Sequence, residues 1–137
     1  MTTSLNEAPL PRPLKILLVE DAPEVRGRIV SLIAEIPELE LAGVAASVGE
    51  AQELLGTLRP DVALLDLRLP DGSGLDILRE LRARCGGAFV AIITAFDTPR
   101  LRSSCLTAGA DAFLSKTSEI NELPDLLRDI VRRGRRS

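Results

Sequence analysis

Histidine, tryptophan and tyrosine are all absent from this 137-residue chain, and phenylalanine occurs three times. Without histidine there is no commonest general base, no commonest zinc ligand, and no Ser-His or Cys-His nucleophile arrangement. Cysteine is scarce. Cys85 and Cys105 lack the spacing of a metal knuckle or a redox pair, so free, half-buried thiols are expected. No apolar run approaches the roughly eighteen residues of a spanning helix, and the opening MTTSLNEAPLPRP has no apolar core of signal-peptide length. A cytoplasmic protein with no membrane partner is expected. The charge excess is small: seventeen basic against twenty acidic residues leave a net charge of -3. Nothing global advertises a nucleic-acid binder, and no direct nucleic-acid partner is expected. Whatever chemistry exists must run on carboxylates, hydroxyls and amines.

What is present is a regular alternation, with no internal repeat and no low-complexity segment. The length suits one domain with a proper core. Residues 1–13 hold three prolines and no periodicity, which predicts a flexible N-terminal tail. The apolar run ILLV, residues 16–19, reads as a strand buried on both faces. Pro23 fits a first helical turn, and Val25, Ile29, Leu32, Ile33 and Ile36 then repeat at helical spacing until Pro37. LELAGVA (39–45) predicts a second strand, and Ala51, Leu54, Leu55 and Leu58 a second helix ending before Pro60. VALLDL, FVAIIT and DAFLS supply three more strands. LDILRELRAR, residues 98–108 and a last helix starting near Asn121 supply three more helices, with Pro124 in the first turn of the last. The folded domain is expected over residues 14–132, with a short basic tail over 133–137. The arginines of RRGRR (132–136) read as a solvated helix end complementing the helix dipole. Five strands alternating with five helices predict an α/β doubly wound parallel sheet covered on both faces.

In such sheets ligands gather beyond the carboxyl ends of the strands, where strand order reverses. The first strand ends in Glu20 and Asp21, the third in Asp66, the fourth in Thr94, and the fifth runs through Ser115 into Lys116. Taken singly, each residue is ordinary: Asp66 a turn-capping acid, Thr94 a β-branched strand residue, Lys116 a solvated lysine, Phe113 a core aromatic. Asp71, Gly72 and Gly74 read as turn residues, and Asp61 as a strand-start acid without chemistry. Together, three carboxylates in one crevice would repel one another unless a cation sat among them. Hard carboxylate oxygens suit Mg²⁺, and the lysine supplies a point charge for an anion. The set predicts a site for a metal and a phosphoryl group.

The acidic pair after the first strand, Asp66 within LLDLRLPDGSG, Thr94 within IITAF and Lys116 within GADAFLSK together make residues 15–131 resemble the receiver domain of bacterial two-component response regulators, the CheY-like family. The resemblance implies a flavodoxin-like strand order of 2-1-3-4-5. It implies that Asp66 accepts a phosphoryl group from the phosphohistidine of a partner kinase or phosphotransfer protein. Asp21, Glu20 (through water), Asp66 and the backbone carbonyl of Arg68 would then hold Mg²⁺, while Thr94 and Lys116 contact phosphoryl oxygens. Thr94 and Phe113 would form the switch, remodelling the face made by the fourth helix, fifth strand and fifth helix for a downstream protein target. A stand-alone regulator is expected, with the receiver of a longer regulator as the alternative; it is a signalling protein and not an enzyme in the ordinary sense, monomeric or dimerising on phosphorylation. With no hydroxyl on its ring, Phe113 is expected to favour the inward position even without phosphate.

Two departures from the family pattern stand out. Thr117 follows Lys116 where many members carry proline. Arg68 and Phe96, two residues beyond Asp66 and Thr94, are bulkier than hydrolysis requires and are expected to slow it. Two rivals remain on sequence grounds. One is an aspartyl-nucleophile phosphatase of the haloacid-dehalogenase type, which needs a second acid where Arg68 stands; the other is a receiver-like interaction module that takes no phosphate. No G-x-x-x-x-G-K-[ST] loop is present, and Ile77 replaces the third glycine of a dinucleotide fingerprint.

Overall fold

The computed structural model describes residues 12–136. Of the expected N-terminal tail, all but Arg12 and Pro13 lie outside the described residues, as does Ser137 of the expected C-terminal tail. Five strands form one parallel sheet: β1 (Leu14–Val19), β2 (Leu39–Ala45), β3 (Val62–Leu65), β4 (Phe89–Thr94) and β5 (Ala112–Ser115). Their spatial order is β2-β1-β3-β4-β5, the doubly wound order expected. The helices between them are α1 (Pro23–Ala34), α2 (Val48–Leu55), α3 (Gly74–Arg84), α4 (Pro99–Thr107) and α5 (Leu123–Arg136).

Apolar runs become two-sided strands because alternate side chains face opposite layers. Leu17, Val19, Leu65, Val90 and Ile92 pack on one side with Ala51 and Leu55 of α2, Ile77, Leu78 and Leu81 of α3, and Cys105 of α4. Ile16, Leu18, Leu64, Ala91 and Ile93 pack on the other side with Ile29 and Ile33 of α1 and Leu127 and Ile130 of α5. Each leucine or isoleucine buried in this way contributes about 2 kcal/mol of hydrophobic stabilisation. The alternation therefore distributes three helices to one face and two to the other.

Helix starts follow local chemistry. Ser47, Ser73 and Thr98 cap α2, α3 and α4 by accepting from Glu50, Leu75 and Leu101 main-chain N–H groups. Glu50 reaches back in turn, accepting from the N–H of Ala46, the residue before the cap. Asp71 also accepts from Val48 and Gly49 N–H groups, so the loop after β3 caps α2 from outside. These bonds, that to Gly49 first, hold the Asp71 carboxyl below the usual carboxylate range.

Some boundaries differ from the sequence reading. α2 ends at Leu55, because Gly56 and Thr57 turn the chain before Pro60. β3 ends at Leu65, leaving Asp66 just past the ladder, and a two-residue antiparallel ladder, Arg68–Leu69 with Gly72–Ser73, follows. A 3₁₀ turn over Ile120–Glu122 precedes α5, which then continues through residues 133–136, placed in a tail by the sequence reading. Gly74 does more than turn the chain: a Cβ there would collide with the Asp66 carbonyl oxygen, so the start of α3 presses directly on the backbone of Asp66.

Candidate functional site: a carboxylate cluster bridged by Lys116

The chain leaves β1 for the edge strand β2, then crosses back over β1 to form β3, so strand order reverses between β1 and β3. Main-chain hydrogen bonds carry the polar residues past the strand ends in register. The Glu20 N–H donates to Ala45 O at 2.9 Å, Asp66 N–H to Val19 O at 2.9 Å, and Lys116 N–H to Thr94 O at 2.8 Å. Residues separated by most of the sequence thereby meet in one crevice.

Glu20 is 1% exposed and Asp66 6%. The Lys116 ammonium lies 2.8 Å from Glu20 Oε1 and 2.9 Å from Asp66 Oδ2, bridging both carboxylates. Asp21, exposed at the rim, joins them: one carboxylate oxygen each from Glu20, Asp21 and Asp66 all lie within 4.8 Å of one another. Burial pushes the Glu20 carboxyl above its ordinary value, and the nearby Asp66 charge adds to this; hydrogen bonds from Lys116 and the Ala22 N–H only partly offset it. Burial also disfavours the charged form of Lys116, but its bonds to Glu20 and Asp66 outweigh that, and its pKa rises. Three closely grouped carboxylates facing one ammonium leave surplus negative charge. That donor set fits a small hard divalent cation such as Mg²⁺.

Thr94 is completely buried at the end of β4, and its Oγ1 accepts from the Phe96 N–H at 3.3 Å. Thr117 occupies the position after Lys116, and no cis peptide occurs among the described residues. The Thr117 hydroxyl lies 3.0 Å from the Ser115 hydroxyl, and its N–H donates to Ser115 Oγ, so a hydroxyl pair fixes the turn that aims Lys116. Arg68 begins the short ladder opposite Ser73, and its guanidinium carbon sits 3.9 Å from the centroid of the Phe96 ring. Phe113 is 5% exposed, in the inward position.

Sequence reasoning missed three supporting groups. Arg26 of α1 donates to the main-chain oxygens of Glu20 and Asp21, bracing the acidic turn. Arg102 of α4 and Glu119 beyond β5 pair at 2.7 Å. None stands directly after a strand or repeats at core spacing, so no pattern marks them.

Residues 16–128 match the model of the response regulator receiver domain. The chain belongs to the response regulator receiver family. This receiver domain is 36% identical over 117 residues to the DNA-binding transcriptional activator DevR/DosR of Mycobacterium tuberculosis, covering 85% of this chain and 54% of that protein. A LuxR-family two-component response regulator from Aurantimonas sp. superposes with a TM-score of 0.78 at 31% identity, covering 88% of this chain and 86% of the other. A DNA-binding response regulator of the LuxR family from Staphylococcus aureus gives a TM-score of 0.76 at 25% identity, covering 86% and 98%. Two expectations change as a result. The receiver domain spans about half the length of DevR/DosR, so the relatives give no support to a stand-alone regulator. The expectation of no direct nucleic-acid partner is overturned, because relatives at this similarity are named as DNA-binding. The net charge that prompted it describes 137 residues and carries no information about the unmatched half of DevR/DosR.

Among the described residues no helix is long and apolar enough to cross a membrane.

Proposed function

We propose that Asp66 is the phosphoacceptor of this receiver domain, taking a phosphoryl group from a phosphohistidine on a partner kinase or phosphotransfer protein. The observation that carries this is the Lys116 ammonium bridging Asp66 and Glu20 inside a three-carboxylate cluster at the strand-order reversal. An Asp66 carboxylate oxygen attacks phosphorus, the bond to the donor imidazole breaks, and an acyl phosphate results. Lys116 is placed to hold the equatorial phosphoryl oxygens, and Thr94, at the end of the neighbouring strand, to donate a hydrogen bond to one of them. Glu20, Asp21, Asp66 and the Arg68 carbonyl would hold Mg²⁺. When bound, that ion neutralises charge developing on the transferred group. The Arg68 side chain stacked on Phe96 narrows the approach of water and slows phosphoryl loss.

The protein is a cytoplasmic signalling component and not an enzyme with turnover of its own. In the full regulator the phosphorylated domain acts on DNA through a further part of the chain, as the names of DevR/DosR and the Staphylococcus aureus protein suggest. Incubation with Mg²⁺ and a small-molecule phosphodonor, followed by intact mass measurement, tests the reading. One added phosphoryl group is expected on the native chain and none on Asp66→Asn. An adduct that survives this substitution would refute it, and catalytic turnover of a phosphate ester would favour a phosphatase instead.

A further inference from the structure

Arg102 lies on α4, away from the carboxylate cluster, yet it touches three segments at once. Its Nη2 is 2.7 Å from Glu119 Oε1 and 3.3 Å from both Asp97 carboxylate oxygens. Its Nη1 donates to the Phe113 carbonyl at 3.1 Å, and its guanidinium carbon sits 4.6 Å from the centroid of the Phe113 ring. Glu119 Oε1 accepts in turn from the Ser115 N–H at 2.9 Å. Asp97 stands three residues after Thr94, and Glu119 three residues after Lys116. One guanidinium therefore joins the two connections that carry Thr94 and Lys116, and covers the ring buried between them.

The same contacts define which arrangement is held. The Thr94 hydroxyl is engaged by the Phe96 N–H of its own connection. Swinging Thr94 toward a phosphoryl group on Asp66 gives up that bond and frees the connection to shift relative to β5. The Arg102 contacts to Asp97 on one side, and to Phe113 and Glu119 on the other, oppose the movement. The arrangement has local strength, since the Arg102 guanidinium, followed by the Ser115 N–H, holds the Glu119 carboxyl below its ordinary value.

We propose that Arg102 is a latch that holds the β4–α4 and β5–α5 connections in the unphosphorylated arrangement, so that phosphorylation of Asp66 has to work against it. The inference rests on the receiver reading above and adds a positioning residue outside the phosphoryl site. By linkage, a contact made only in the resting arrangement lowers the apparent affinity of any ligand that favours the other one. Its removal tightens that ligand without adding a contact to it.

The test titrates the chain with beryllium fluoride in the presence of Mg²⁺, a phosphoryl mimic, reading amide shifts of Phe113 and Ser115. Arg102→Gln is expected to bind it about fivefold tighter than the native chain. Glu119→Gln should show a smaller gain, and the double variant no more than Arg102→Gln alone, because both act through one contact set. A guanidinium that served stability alone would lower the melting temperature while leaving affinity unchanged or weaker, and that result overturns the latch. Should Arg102→Gln fail to fold, Glu119→Gln and Asp97→Asn decide the matter on the same readout. A native chain that takes up the mimic, with variants titrating identically, sinks the latch alone. A native chain that takes up none sinks the receiver reading, and the latch with it.

Discussion

Acids stand at both ends of the sheet, and they are used in opposite ways. At the amino ends, Asp61 precedes β3 and accepts from the Lys15 N–H of β1, while Asp111 precedes β5 and accepts from the Val90 N–H of β4. Arg82 reinforces that end. It donates to the carbonyls of Gly86, Ala88 and Gly109 and pairs with Asp111 at 2.8 Å. At the carboxyl ends, Glu20 and Asp66 are buried together and share the Lys116 ammonium. An acid answered by main-chain donors knits strands together. An acid that shares one bridging ammonium with another acid keeps negative charge that a cation could meet. The residue types match; their partners differ.

The sharpest way to break this contrast is to remove the shared cation. Lys116→Met should cost about 3 kcal/mol, since it leaves buried carboxylates without their counter-charge. Urea unfolding followed by circular dichroism is suitable, as tryptophan and tyrosine are absent. Saturating Mg²⁺ should restore more stability to this variant than it adds to the native chain; an equal increment would show that the acids are not waiting for a cation. The amino end should respond differently. Arg82→Ala should cost about 2 kcal/mol by stripping carbonyls of their donor, with the Mg²⁺ increment unchanged from native. Asp61→Ala should cost about 1 kcal/mol for the lost bond to the Lys15 N–H, again without altering the Mg²⁺ response.

Much of the reactive end was legible because it follows from two patterns, an apolar run ending in a charge and a strict strand-helix alternation. Glu20, Asp21, Asp66, Thr94 and Lys116 all stand at or directly after a strand, so the reversal of strand order is enough to gather them. The fold was read for the same reason. The two arginine ties were not legible. Arg82 reaches a carbonyl 27 positions away and Arg102 a carboxylate 17 positions away. Which helical arginine faces a partner depends on the rotation of α3 and α4 against the sheet, which periodicity of the apolar face leaves loose by a fraction of a turn. The ladder at Arg68–Leu69 was missed because two residues show no alternation. The early end of α2 was missed because Leu58 keeps helical spacing beyond the turn that stops the helix.

The smallest effect concerns acid. The Glu119 carboxyl is depressed, so its pairing contributes stability above the unfolded-state pKa, and that contribution disappears as pH falls through the lower folded value. Because the pair is partly exposed, the change in overall stability should be slight. Carbon chemical shifts of the Glu119 carboxyl should titrate below those of an unpaired glutamate and move up in Arg102→Gln. Coincident titrations in the two proteins would show that the pairing is absent in solution.

The bond between Lys116 and Glu20 spans 96 positions. A ribosome that has released four of the five strands has therefore made a polypeptide with acids in place and no amine to neutralise them. The pocket comes into being only with the closing strand, so a truncated or stalled product lacks the ammonium that bridges Glu20 and Asp66.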